Sequence, residues 1–135
     1  MNKLGMKFKI NKEVENYIKE QVKDLIELEE NKSLNDIGII FYLRKASCGP
    51  MMKGGWKELV CIIDFYENYA KKYELKQING VKIAGINVYM ETNAIELLKD
   101  RDVIELFVEG AIIRDLKIKD APLVDIGTCT FDDKT

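Results

Sequence analysis

One long helical stripe, followed only by short alternating runs, limits this chain to a mixed helix-and-sheet fold. Val14, Tyr17, Ile18, Val22, Leu25 and Ile26 recur at helical spacing and place an amphipathic helix over residues 12–30. Asn11 is its expected N-cap and Asn31-Lys32-Ser33 its stop. Past Asp36 the period changes to two. Ile37, Ile39, Phe41 and Leu43 alternate with Gly38, Ile40, Tyr42 and Arg44, which reads as a strand with a buried face. A loop with three glycines and a proline follows, from Ala46 to Gly55, and residues 57–66 resume alternation with Leu59, Cys61, Ile63 and Phe65 on one face.

The remainder repeats the pattern. Residues 67–77, with Tyr69, Lys71, Lys72 and Tyr73, read as an exposed aromatic-basic connection with one helical turn. Asn79-Gly80 signals a tight turn, Gly85 a bulge, and Val81, Ile83, Ile86, Val88 and Met90 one or two strands. Thr92 is the expected cap of a short helix holding Ala94, Ile95, Leu97 and Leu98. Residues 103–108 and 112–119 read as strands joined near Glu109-Gly110, and 120–135 as a tail. The sum is five or six strands. They do not alternate with long helices, so the expected class is α+β in one domain, 1–135, with a pliant tail.

Composition narrows the function classes. The 47% apolar content suits a packed core. Lys+Arg number 21 against 23 Asp+Glu, so no basic excess points to nucleic acid. No apolar run is long enough to span a bilayer, and residues 1–9 lack the apolar core of a signal peptide. A cytoplasmic protein with neither nucleic-acid nor membrane partners is expected, and Asn31-Lys32-Ser33 is then an accidental glycosylation sequon. Carboxylate groups such as Glu27/Glu29/Glu30, Glu13/Glu15 and Asp132/Asp133 read as solvated surface. Neither a GxxxxGK[ST] nor a GxGxxG phosphate loop occurs.

Histidine is absent, which removes every Ser-His-Asp or Cys-His pair and every His-containing metal site. The chemistry left lies in three cysteines, an odd number that gives no reason to expect a disulfide framework. Cys61 shares a strand face with Leu59, Ile63 and Phe65 and reads as core. Cys48 stands in the glycine loop beside Gly49-Pro50, with Arg44, Lys45 and Lys53 near in sequence. Nearby cations favour thiolate, so Cys48 suits a metal ligand, a sulfur carrier or a redox thiol. Met51-Met52 offers thioethers, though packing is the simpler reading. Cys129, in the tail, is the second candidate. Two cysteines cannot fill a four-sulfur site in one chain, but a dimer supplies four and an exogenous thiolate can also complete the shell.

The order of these parts resembles the HesB/IscA-like family, the A-type iron–sulfur cluster carriers. The likeness rests on a helix, a strand reaching the Cys48-Gly49 loop, and a strand ending in Asp64-Phe65. It continues through Gly80-Val81-Lys82, Val88-Tyr89-Met90, a short helix, paired strands and the Gly127-Thr128-Cys129-Thr130-Phe131 tail. It covers roughly residues 11–131 and implies a twisted β-sandwich-like fold with a long N-terminal helix and a short second one. It also implies a homo-oligomer without catalytic turnover that binds iron or an iron–sulfur cluster, with apo-protein clients or cluster-assembly proteins as partners. Cys48 matches the family's loop ligand. Where the family has Cys-Gly-Cys, this chain reads Ile126-Gly127-Thr128 with Cys129 one place later, so Cys48 and Cys129 are the implied metal and cofactor ligands. The segment Met51–Trp56 is an insertion relative to the family. The Cys48-Gly49-Pro50 loop also resembles a divergent HesB-like branch, including selenoproteins, that lacks the carrier tail. The alternative is therefore a HesB-fold protein without metal that acts as a thiol redox or sulfur carrier, or as a protein-interaction module with the Tyr69–Tyr73 stretch as its contact surface.

Overall fold

The computed structural model describes residues 6–46 and 52–131. Helix α1 spans Lys12–Leu28, with the Asn11 side chain accepting a hydrogen bond from the Val14 amide at 2.9 Å, as an N-cap should. Its buried positions Val14, Ile18 and Val22 are the predicted stripe. A short 3₁₀ turn, Leu34–Asp36, follows; Asp36 Oδ2 accepts from the Ser33 amide at 2.8 Å and aims the chain into the sheet.

Eight strands occur among the described residues: β1 (Phe8–Lys9), β2 (Ile37–Ala46), β3 (Met52–Phe65), β4 (Leu75–Ile83), β5 (Ile86–Glu91), β6 (Ile104–Glu109), β7 (Asp115–Ile118) and β8 (Leu123–Phe131). Two further helices, α2 (Glu67–Ala70) and α3 (Thr92–Leu98), complete the chain. The strands make a five-stranded sheet, β4-β5-β2-β3-β8, and a three-stranded sheet, β1-β6-β7. Strands β2 and β3 pair antiparallel over the full run from Ile37↔Phe65 to Ala46↔Trp56. Strands β2 and β5 pair in parallel, as do β1 and β6. The class is α+β. No helix among the described residues is long and apolar enough to cross a membrane.

One core joins the two sheets to α1 and α3. It holds Ile18, Ile37, Ile39, Phe41, Val88, Met90, Leu98, Ile104 and Leu106, all nearly inaccessible. The opposite face of the larger sheet carries a second, aromatic cluster, in which Ile40, Tyr42 and Tyr89 are covered by Tyr69, Tyr73 and Leu75. This explains why β2 is buried on both faces through Leu43. Gly38 is part of the same device. The Tyr89 ring lies over it, and a Cβ there would stand 2.4 Å from a ring carbon.

Several sequence expectations change. The tail is largely strand: β8 pairs with β3, and its exposed edge explains why so polar a segment is still in the sheet. Strand β3 begins at Met52, inside the glycine loop, because bulges absorb Gly54 and Gly55. The connection at 67–77 contains the expected helical turn, but Tyr69 and Tyr73 are half-buried against Tyr42, with centroids 5.6 and 4.5 Å away. Gly85 is not a bulge. With Ala84 (φ 50°) it makes the two-residue turn between β4 and β5, and the irregular stretch lies instead between Gln77 and Lys82, around Asn79-Gly80. Glu91 rather than Thr92 occupies the N-cap position of α3, and its carboxylate accepts from the Leu43 amide at 3.2 Å. Residues 112–114 form a turn, not strand, with Ile112 and Ile113 almost wholly exposed.

Candidate functional site

Strand β8 positions the tail cysteine. Its near part, Leu123 to Asp125, pairs with Glu58, Lys57 and Trp56; its far part, Thr130 and Phe131, pairs with Lys53 and Met52. Between them Gly55 sits opposite Gly127, with register shifts on both sides of Gly55. Both glycines have positive φ (105° and 123°), as does Gly54 at 88°, a backbone region that side-chain-bearing residues rarely adopt. The Asp125 carboxylate accepts from the Gly127 amide at 2.8 Å and tightens the bend. Cys129 lies just beyond it, on an exposed part of the strand. Gly55, Trp56, Leu123, Asp125, Gly127 and Cys129 line a shallow notch of about 400 Å³.

The three cysteines differ sharply. Cys61 is buried and free, packed in the main core, and its burial pushes the thiol well above its ordinary pKa, so it stays neutral and inert. The core reading of Cys61 is correct. Beside it a cavity of about 230 Å³ opens between β3 and β7, with Arg44, Glu58 and Asp115 among its lining residues. Cys129 is disulfide-bonded, which corrects the expectation drawn from an odd cysteine count. Pairing depends on which thiols the fold brings together, and drawing the tail into the sheet gives Cys129 that opportunity. Cys48 lies outside the described residues, as does Met51. Lys45 is exposed near the end of β2, opposite Lys57, and the backbone of Lys53 pairs with Thr130, one residue from Cys129.

The donor set can be judged chemically. A sulfur held in a disulfide is not a thiolate and cannot serve as a strong iron ligand, so Cys129 fits that role only in the dithiol state. Among the described residues no three Cys, Asp or Glu side chains cluster as a metal site. Sequence reasoning missed the notch formed by Trp56 and Asp125 and the glycine pairing beneath it. Gly54-Gly55 and Gly127 were visible as glycines, but their opposition depends on a strand pairing between distant segments. No known protein family, curated protein or solved structure matched this chain.

Proposed function

We propose that this chain is a HesB/IscA-like protein that binds iron or an iron–sulfur cluster through Cys48 and Cys129, without catalytic turnover. The observation that carries the reading is the disulfide at Cys129. It means that a second cysteine sulfur reaches the exposed strand β8. Of the chain's three cysteines Cys61 is buried and free, so Cys48 and Cys129 are the two left to ligate iron on this reading. The Cys129 sulfur, once reduced, is a thiol on an exposed strand and can ligate iron. In sequence Cys48 lies near Lys45 and Lys53, cations of the kind that favour a thiolate. A homo-oligomer would bring two such pairs to one cluster and complete a four-sulfur shell. The cluster is then cargo, held near an exposed notch from which apo-protein clients or assembly proteins can take it. The order of elements, from long helix through Cys48 to the strand bearing Cys129, supports the same family reading.

The disulfide favours a second reading, in which the pair is a thiol redox couple or sulfur carrier. In a reducing cytoplasm, where we place this protein, disulfides are typically transient and redox-sensing or catalytic. Anaerobic reconstitution with iron and sulfide after full reduction separates the two. The carrier reading expects visible charge-transfer absorption that Cys48→Ser and Cys129→Ser each abolish. A colourless, iron-free product, together with a thiol at Cys48 that alkylates fast near neutral pH, selects the redox reading and sinks the first.

A further inference from the structure

Two isoleucines stand almost wholly in water on the turn between β6 and β7: Ile112 is 96% exposed and Ile113 79%. Isolated exposed hydrophobes are ordinary on a protein surface, but an adjacent pair on one projection is unusual. The projection is braced. Gly110 closes it at φ 113°, so tightly that a Cβ there would stand 1.9 Å from the Ile113 carbonyl oxygen. The Tyr17 hydroxyl donates to the Arg114 carbonyl at 3.2 Å, and the Arg114 guanidinium pairs with Glu13 at 3.4 Å, so α1 holds the turn's return limb. A knob ordered in advance loses little freedom when a partner buries it. The notch of about 400 Å³ is its counterpart, walled by Trp56 (41% exposed) and Leu123 (65% exposed) with Cys129 beside them. Knob and notch flank the smaller cavity between β3 and β7. Asp115, two residues beyond Ile113, lines that cavity, and so does Leu123. Its remaining charged lining is Arg44, Glu58 and Lys117, which with Asp115 makes two cations and two anions. The surface therefore runs from apolar knob through balanced charges to apolar-walled notch.

We propose that this surface binds a second copy of the chain about a twofold axis, the Ile112–Ile113 knob of each protomer seated in the notch of the other. A twofold contact joins one patch to itself, so each feature and its complement must share a face. Knob and notch supply one such match. The equal cations and anions between them supply another, since a rotated copy can set each charge opposite its counterpart. An anionic membrane suits the knob poorly: Glu109 and Asp115 pair at its base, and its Arg114 is already matched by Glu13. Two small contacts make an interface at the weak, transient end of the range, so the metal-free dimer forms and dissolves with concentration. The inference names the interface of the homo-oligomer in the proposed function; it rests on that reading for the identity of the site, not for the contact itself. Because Cys129 lines the notch, each chain's knob packs beside the other's candidate ligand. A cluster shared between chains then tightens a contact that already exists.

Sedimentation velocity on the reduced, iron-free protein from about 5 to about 500 μM, a range suited to a weak interface, tests this. The expected result is a monomer–dimer equilibrium within that range. Ile112→Ser together with Ile113→Ser, and separately Leu123→Glu, should each weaken it roughly tenfold or more, as loss of buried aliphatic contacts does. All three side chains are exposed in the single chain, so the melting midpoints should match the parent's. An equimolar mixture of the two variants should associate more tightly than either alone, because each mixed pair keeps one intact knob in one intact notch. Reduced Cys129 should also alkylate more slowly at the top of the range than at the bottom, a difference the knob variant loses. A chain monomeric throughout, a dimer indifferent to both sets of changes, or a mixture that recovers nothing overturns the interface. So does a monomer that sediments with phosphatidylserine vesicles through Ile112 and Ile113. The iron reading fails separately: knob-dependent dimers in protein that takes up no iron leave the interface standing, whereas cluster-bearing dimers unmoved by either variant remove the interface and keep the carrier.

Discussion

At Gly38 a missing side chain is a packing requirement. Tyr89 lies over that glycine and stacks on Tyr66, with ring centroids 4.9 Å apart and planes 11° from parallel. Gly38→Ala should therefore displace the Tyr89 ring and cost about 1–3 kcal/mol, as overpacking usually does, measurable as a lower denaturation midpoint. Tyr89→Ala in the same background should recover part of that loss relative to its own single variant, because the clash has gone. Cys61 gives a pH-dependent prediction. Burial raises its pKa in the folded state, so below the unfolded thiol pKa of about 8.5 both states are protonated and pH has no effect through this group. Above it the unfolded chain ionises first, and stability falls as pH rises. Tyr42, Tyr69 and Tyr89 add to the decline above about pH 10, since burial foremost raises each of them. Denaturation midpoints from pH 7 to 11 should fall, and Cys61→Ala should remove the early part of the fall. In the native protein Cys61 should resist alkylation that it accepts in denaturant.

Among the elements, β8 matters most for the site and was the hardest to read. Helix α1 was legible because six apolar residues at helical spacing and an Asn cap agree, and tertiary packing only confirmed the local signal. Strand β2 was legible for the same reason at period two. In β8, Leu123 and Ile126 are exposed while Val124 packs against the core, and Gly127 interrupts the run, so hydrophobic patterning is nearly silent. Its strand character comes from hydrogen bonds to β3, a partner about seventy residues earlier that no local window contains. Tyr69 and Tyr73 were misread as exposed for a related reason, since their cover is the outer face of another segment, at Tyr42. Cys61 was legible as core and Cys129 only as a candidate; its disulfide needed the fold. A chain truncated after Pro122 should keep α1 but expose the β3 edge. Thermal melts should then show a clear loss of stability, and light scattering a gain in self-association. A truncated chain as stable and monomeric as the full one would contradict this account of β8.

At the scale of the whole molecule, the carrier reading sets a stoichiometry. With two ligating cysteines per chain, a four-sulfur cluster requires two chains, so reconstitution should convert monomer to dimer in step with cluster absorption. Iron and sulfide analysis should give one cluster per two chains; one full cluster per monomer would rule out a site built from Cys48 and Cys129 alone.

The small sheet has a consequence for how the chain is made. Strand β1 is only two residues long, and its partner is β6: Phe8 pairs with Ile104 and Lys9 with Glu105. Met6 is buried and Phe8 packs against the core. On a ribosome Met6 and Phe8 must therefore wait until β6 has been synthesised before their berth exists. Helix α1 can form at once, but its own buried face also waits for strands that come later. Contacts between such distant segments slow folding. The segment Met6–Lys9 should thus be among the last parts of this fold to be secured, after β6.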